Sequence, residues 1–233
     1  MRQVVLDTET TGLEVGKGHR LIEVGCVELR ERRLTGRVFH RYLNPQREIE
    51  SGALAVHGIS NEFLADKPVF ADIASEFLAF IQDAELIIHN AAFDVGFLDN
   101  ELALIDKALG CIKDRAQVLD TLLLAREKYP GQKNSLDALC KRLNINNNHR
   151  ELHGALLDAQ LLADVFLAMT AGQADLGFTL VKEDRRLQQV REKSMAWGEL
   201  KVRYADATEL AQHESRLQSI DQTSKGQCLW RKL

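Results

Sequence analysis

No apolar run of about 18 residues occurs in the 233-residue chain, and no basic n-region with an apolar h-region opens it. Neither membrane spanning nor export is therefore expected. No C-x-x-C pair is present either. Cys26, Cys111, Cys140 and Cys228 are scattered, which argues against a disulfide or zinc framework and for reduced thiols in a cytoplasm. A basic excess is also missing: 30 Lys and Arg face 34 Asp and Glu, for a net charge of −4. The imbalance is uneven. From Ala171 onward eleven basic residues meet nine acidic ones, which leaves nineteen against twenty-five in residues 1–170. A free-standing nucleic-acid binder advertises a basic surface, so if this chain acts on nucleic acid, metal ions or a partner must help hold it there. There is no internal repeat and no low-complexity tract. What is present is ordinary for a globular protein, 45% hydrophobic and 27% charged residues in a chain long enough for one sizeable domain plus an appendage.

Alternation and apolar spacing predict strands over 3–7, 20–30 and 36–43, a helix over 70–81, a short strand over 85–89 and a helix over 91–105. A strand over 117–120 runs into a helix that Pro130-Gly131 stops, and further helices are expected over 135–143 and 152–170. Strands first, then alternating strands and helices, predict an α/β protein with a mixed sheet flanked by helices. After Gly172 the character changes. Residues 173–199 are polar with weak periodicity and are expected to be a linker. In 200–233, Asp206-Ala-Thr-Glu209 has the form of a capping box before a narrow stripe of Leu210, Leu217 and Ile220.

The acidic residues stand in the wrong places for a solvated surface. Asp7 and Glu9 follow the buried run Val4-Val5-Leu6, and side chains two apart on a strand share a face. Asp94 lies in the first turn of its helix, with Phe97 and Leu98 a turn on. Asp158 shares a stripe with Ala155, Leu162 and Val165. Singly, Asp94 reads as a cap and Asp7 and Glu9 as loop acids. Together, four acids with no Lys or Arg near them in sequence favour a metal site, because a buried carboxylate must be protonated, paired or metal-bound. Oxygen ligands suit Mg²⁺ or Mn²⁺. His153, five residues before Asp158 and expected at the helix start, is the natural base for removing a proton from water. Asp120 reads as the cap of the following helix.

VLDTETTGL, HNAAFDVGFLDNEL and HGALLDAQLLADVF resemble the three motifs of the DEDDh branch of the DEDD exonuclease superfamily, and VHGIS, VLDTLLLAR and NSLDALC resemble its intervening blocks. Within that branch the chain resembles the proofreading exonucleases of bacterial DNA polymerase III, over residues 3–170 and again at its final segment. The resemblance implies a ribonuclease H-like fold over 1–172 with a C-terminal extended tail. It also implies 3′→5′ hydrolysis of mispaired DNA 3′ ends to deoxynucleoside monophosphates, using two divalent metal ions. Asp7, Glu9, Asp94 and Asp158 would hold the ions, with Asp7 bridging them and Asp94 acting partly through water, and His153 would be the general base. Thr8, Thr10, Thr11, Gly12, Leu13, His57, Asn90 and Phe93 would line the site for the terminal nucleotides, with Leu13 and Phe93 against bases.

Partners follow from the same resemblance. Gln173, Leu176 and Phe178, within residues 173–178, match the spacing of a sliding-clamp-binding peptide. Leu229 and Trp230, in GQCLWRKL, would anchor 200–233 on the polymerase III alpha subunit. A theta-like small subunit is a further partner of the family, and the expected compartment is the cytoplasm. The alternative within the branch is a ribonuclease trimming RNA 3′ ends, against which the clamp-like peptide and long tail speak. The loop after the first strand is similar to the aspartyl nucleophile loop of haloacid-dehalogenase-like phosphatases, but that family wants Asp where Glu9 stands, a downstream Lys and a later acidic pair, and has no need of His153. A non-catalytic module on the same fold would not need all five active-site residues.

Overall fold

The structure is a computed structural model that describes residues 1–147, 152–171 and 204–224 together with Cys228 and Trp230. The chain divides into two compact units, Met1–Ala174 and Asp175–Leu233. The first contains a five-stranded sheet of β1 (Arg2–Thr10), β2 (Leu21–Arg30), β3 (Arg33–Tyr42), β4 (Glu85–Ile88) and β5 (Gln117–Asp120). Its order is β3-β2-β1-β4-β5. The β1–β2 and β2–β3 pairs are antiparallel, and the β1–β4 and β4–β5 pairs are parallel. Among its described residues are the α-helices α1 (Ser51–His57), α2 (Asn61–Leu64), α3 (Phe70–Ile81), α4 (Ala91–Ile105), α5 (Thr121–Lys128), α6 (Leu136–Leu143) and α7 (Ala155–Thr170).

Both faces of the sheet are covered, which is why β1 and β4 read as unbroken apolar runs rather than alternating ones. Val4 and Leu6 of β1, with Leu86 and Ile88 of β4, pack under Phe77 and Ile81 of α3 and Leu98 and Leu102 of α4. Val5, Val27 and Ile87 point the other way, against Leu139 of α6 and Ala159, Leu162 and Phe166 of α7. This is the ribonuclease H-like α/β arrangement expected from the motifs.

Three differences from the expected elements bear on function. Strand β1 continues to Thr10 rather than stopping at Asp7, because β2 pairs with it through Glu9 opposite Glu23. Both acids therefore sit inside the sheet. Helix α7 starts at Ala155, not at 152, and Gly154 is extended at φ −150°, ψ 129°. Helices α1 and α2 were not expected, since SGALAVH is short and mostly exposed and carries no apolar stripe.

In the second unit, α8 (Ala207–Thr223) begins with the expected capping box. Asp206 accepts from the amides of Thr208 and Glu209, and Glu209 accepts from the amide of Asp206. Leu210 and Ile220 on this helix are exposed, as is Trp230. The clamp-like residues Gln173, Leu176 and Phe178, and Leu229, lie outside the described residues.

Candidate active site

The two covered faces meet the acids from opposite sides. Along β1, Asp7 and Glu9 face α7 with Val5, while Thr8 turns to the α4 face with Leu6. Gly25 lies directly across from Asp7. A Cβ on Gly25 would come within 2.5 Å of the carbonyl oxygen of Ala155, so only hydrogen at this position lets the first turn of α7 rest on the sheet. That seat carries Asp158, which is 3% exposed, toward the Asp7–Glu9 side of the strand. Asp94 arrives from the other face. It is buried in the first turn of α4 and accepts a 2.7 Å hydrogen bond from the Thr8 hydroxyl. The four acids thus converge around the carboxyl end of one strand, the end at which open α/β sheets place their ligands.

His153 is not in the helix. It lies in the extended segment before Ala155, where its amide donates to the carbonyl of Val56 at the end of α1. From there the half-exposed ring brings Nδ1 to 3.2 Å from Asp158 Oδ2. A proton on Nδ1 shared with that carboxylate leaves Nε2 as the basic nitrogen.

Asp7, Thr8, Glu9, Asn90, Phe93, Asp94, His153 and Asp158 line one cleft of about 260 Å³ together with His89, Ser135 and Leu136. Thr8, Glu9 and Phe93 also line an adjoining cavity of about 290 Å³, which takes in Thr10, Gly12, Leu13 and His57. No Lys or Arg is among the described residues lining the acidic cleft. Burial pushes the Asp94 carboxyl up to about 7, against the pull of its hydrogen bond from Thr8. Carboxylate oxygens of Glu9 and Asp158 and a ring nitrogen of His153 lie within 4.8 Å of one another. That spacing, with Asp7 and Asp94 beside it, fits an oxygen-rich divalent-cation site, in which ligand bonds run about 2.0–2.6 Å.

Not every expected nucleotide contact faces the cavity. Thr11 is fully buried, and its hydroxyl is engaged by His19 and by the amide of Arg20, so it stands behind the wall instead of on it. The Thr8 side chain is occupied by Asp94, and the Thr10 hydroxyl donates to the carbonyl of Gly12, tying the turn. His57 is only 5% exposed. Its Nδ1 accepts from the amide of Ile59, and burial lowers its pKa. Leu13 is 78% exposed at the mouth of the cavity. Asn90 adopts the left-handed region, at φ 66°, at the start of α4. It is held there by Asp120, whose carboxylate accepts from the amides of Asn90 and Ala91 and from that of Leu122. Asp120 caps α5, as expected, and braces the turn that carries Asn90 as well.

Sequence reading missed His89, Ser135, Glu50 and Gly25. For His89 a signal existed: it follows the end of a parallel strand, where ligand crevices form. Its Nδ1 lies 2.9 Å from the Thr121 hydroxyl, and burial lowers its pKa. Gly25 carried none, because a glycine inside an apolar strand looks like a mere weakening of it.

The exonuclease (RNase_T) family model matches residues 4–166. The chain is 51% identical to the DNA polymerase III subunit epsilon of Salmonella typhimurium over 237 residues, covering 99% of this chain and 97% of the relative. To the DNA polymerase III subunit epsilon of Escherichia coli K12 it is 49% identical, with the same coverage. Among solved structures, exonuclease X in complex with 5′ overhanging duplex DNA matches with a TM-score of 0.57 and 25% identity, over 73% of this chain and 92% of that one. A chain with this sheet, this acidic cleft and these relatives belongs to the exonuclease family and, within it, to the DNA polymerase III epsilon subunits.

Proposed function

We propose that the protein is the 3′→5′ proofreading exonuclease of a bacterial replicative polymerase, removing mispaired 3′-terminal nucleotides as deoxynucleoside monophosphates. The observation that carries this reading is the convergence, around one strand end, of four acids and a histidine drawn from three distant segments. The relatives named as polymerase subunits favour DNA over RNA as the substrate.

Exonucleases of this family depend on divalent metal, and Asp7, Glu9, Asp94 and Asp158 are the residues proposed to hold two Mg²⁺ or Mn²⁺ ions. Bound there, such ions supply Lewis-acid polarisation of the scissile phosphodiester and neutralise charge at the leaving oxygen. His153 takes a proton from the attacking water through Nε2, with Asp158 holding the ring by Nδ1. Thr8 keeps Asp94 turned toward the strand end. Leu13, Phe93 and Asn90 flank the terminal nucleotides, and His57 backs their pocket as a buried ring. An acidic cleft draws no DNA at long range, so selectivity rests on fraying, which costs less at a mispaired end than at a paired one.

Residues 1–172 form the nuclease domain in this reading, and 173–199 a linker carrying the clamp-binding peptide Gln173–Phe178. Residues 200–233 bind the polymerase alpha subunit through Leu229 and Trp230. The site of action is the cytoplasm, where a theta-like subunit is a further candidate partner. The deciding experiment measures release of mononucleotides from matched and mispaired DNA 3′ ends, and from RNA, in Mg²⁺ and in EDTA. Faster release from the mispair, lost in EDTA, is expected. Preference for RNA would move the chain to the ribonuclease reading.

A further inference from the structure

His19 belongs to none of the motifs and touches no acid of the cleft, yet it is 1% exposed, and both ring nitrogens are engaged. Nδ1 lies 3.2 Å from the Thr11 hydroxyl, and Nε2 lies 3.2 Å from Glu50 Oε1. Thr11 backs one wall of the 290 Å³ cavity, and Glu50 lines the other. One wall is the turn of Gly12 and Leu13, and the other is the start of α1, with Glu50, Gly52 and Ala53. The Thr11 hydroxyl already accepts from the amide of Arg20 at 3.0 Å, so its hydrogen is available to Nδ1, and the tautomer protonated at Nε2 donates to Glu50. Every polar atom is then satisfied. The imidazole plane also lies flat against Gly12: a Cβ there would come within 2.6 Å of Nδ1 and 2.7 Å of Nε2. Backbone bonds complete the tie, from the Thr11 amide to the Arg20 carbonyl and from the Glu50 amide to the Thr11 carbonyl. Arg20 is itself fixed by a two-bond pair with the buried Glu101 of α4, at 2.7 Å each.

We propose that His19 is a positioning residue that latches the Gly12–Leu13 turn to the start of α1, setting the width of the pocket for the terminal nucleotide. The proposal rests on the exonuclease reading above. Among the described residues the imidazole is the side-chain bridge between Thr11 and Glu50, and its loss leaves the Gly12–Leu13 turn tied to the start of α1 by the single Glu50–Thr11 backbone bond. A loose wall weakens substrate binding before it harms the chemistry, because the acids stand on β1, α4 and α7, and His153 is held by Asp158 and by Val56 at the far end of α1 from the latch.

The test compares full-length parent, His19→Ala, His19→Gln and Gly12→Ala proteins. Hydrogen exchange reads the Thr11 and Glu50 amides, and steady-state hydrolysis of a single-stranded oligonucleotide reads KM and kcat. His19→Ala is expected to speed exchange at both amides and to raise KM about tenfold with kcat within about threefold. His19→Gln, whose amide offers an NH₂ to donate and a carbonyl oxygen to accept, recovers part of the loss. Gly12→Ala reproduces the KM effect by displacing the ring. It adds nothing in a His19→Ala background, where the space is free, a non-additivity that unrelated structural damage does not produce. Unchanged exchange in His19→Ala and Gly12→Ala overturns the latch, as does a fall in kcat at constant KM. An inactive parent protein instead removes the exonuclease reading, and the exchange data alone then judge the latch.

Discussion

Gly25→Ala tests whether the seat of α7 on the sheet governs the active site. The added Cβ meets the backbone of Ala155 and Leu156, at 2.5 Å from the Ala155 carbonyl oxygen, whereas ordinary contact begins at 3.4 Å. Backbone cannot swing aside as a side chain does, so the first turn of α7 must lift by roughly 1 Å. Asp158 rides on that turn, one residue C-terminal to Leu157, and Asp7 is the cross-strand partner of Gly25 itself. Overpacking of this kind costs about 1–3 kcal/mol of stability. A misplacement of about 1 Å at a catalytic group costs about 10²-fold in rate. The expected variant is folded, melts several degrees lower, binds Mn²⁺ more weakly by calorimetry and hydrolyses a labelled oligonucleotide about a hundredfold more slowly. Gly16→Ala is the control, since a Cβ there meets nothing within 4 Å. Parental rate and melting temperature in Gly25→Ala would refute the argument, because the helix could not then be resting on that glycine.

Asp7→Ala should abolish cleavage with the fold intact, and His153→Ala should slow it by about two to four orders of magnitude, both read by single-turnover hydrolysis. In EDTA-treated protein, Asp94 is a carboxyl whose folded pKa, about 7, lies above its ordinary 3.8. The folded state holds that proton more tightly, so this group lowers stability as pH rises from about 4 to 7 and no further above that. Asp94→Asn should flatten that part of the melting-temperature profile, and an unchanged slope would assign it elsewhere. Replacing Gln173, Leu176 and Phe178 with Ala should weaken binding to the sliding clamp in surface plasmon resonance while leaving oligonucleotide hydrolysis unchanged. Deleting 200–233 should leave the nuclease active but unable to co-purify with the polymerase alpha subunit. Trp230→Ala should weaken that complex by more than about 1 kcal/mol.

Much of the fold was legible in residue order. The helices over 70–81 and 91–105 and the strand over 117–120 fall where apolar spacing puts them, because each buries one stripe or one short run and is bounded by turn residues. The four candidate acids stood out for a related reason: a carboxylate inside an apolar pattern is too costly to stand there without a proton, a cation or a metal. Periodicity also carried Asp120 as a cap, since capping is local. What lay beyond reach was set by partners distant in the chain. Strand β1 outlasts its apolar run because β2 pairs with Glu9, and His153 stands outside α7 because Val56 of α1 holds its amide. Thr11 carries the same motif letters as its neighbours yet faces inward, because His19 and Arg20 take its hydroxyl. Gly25 looks like any strand glycine until a helix 130 residues later lies on it. Local composition determines which element forms and which residue is chemically out of place. Close approach between elements has no trace in either segment alone, because it depends on the distance between two backbones that only the assembled fold brings together.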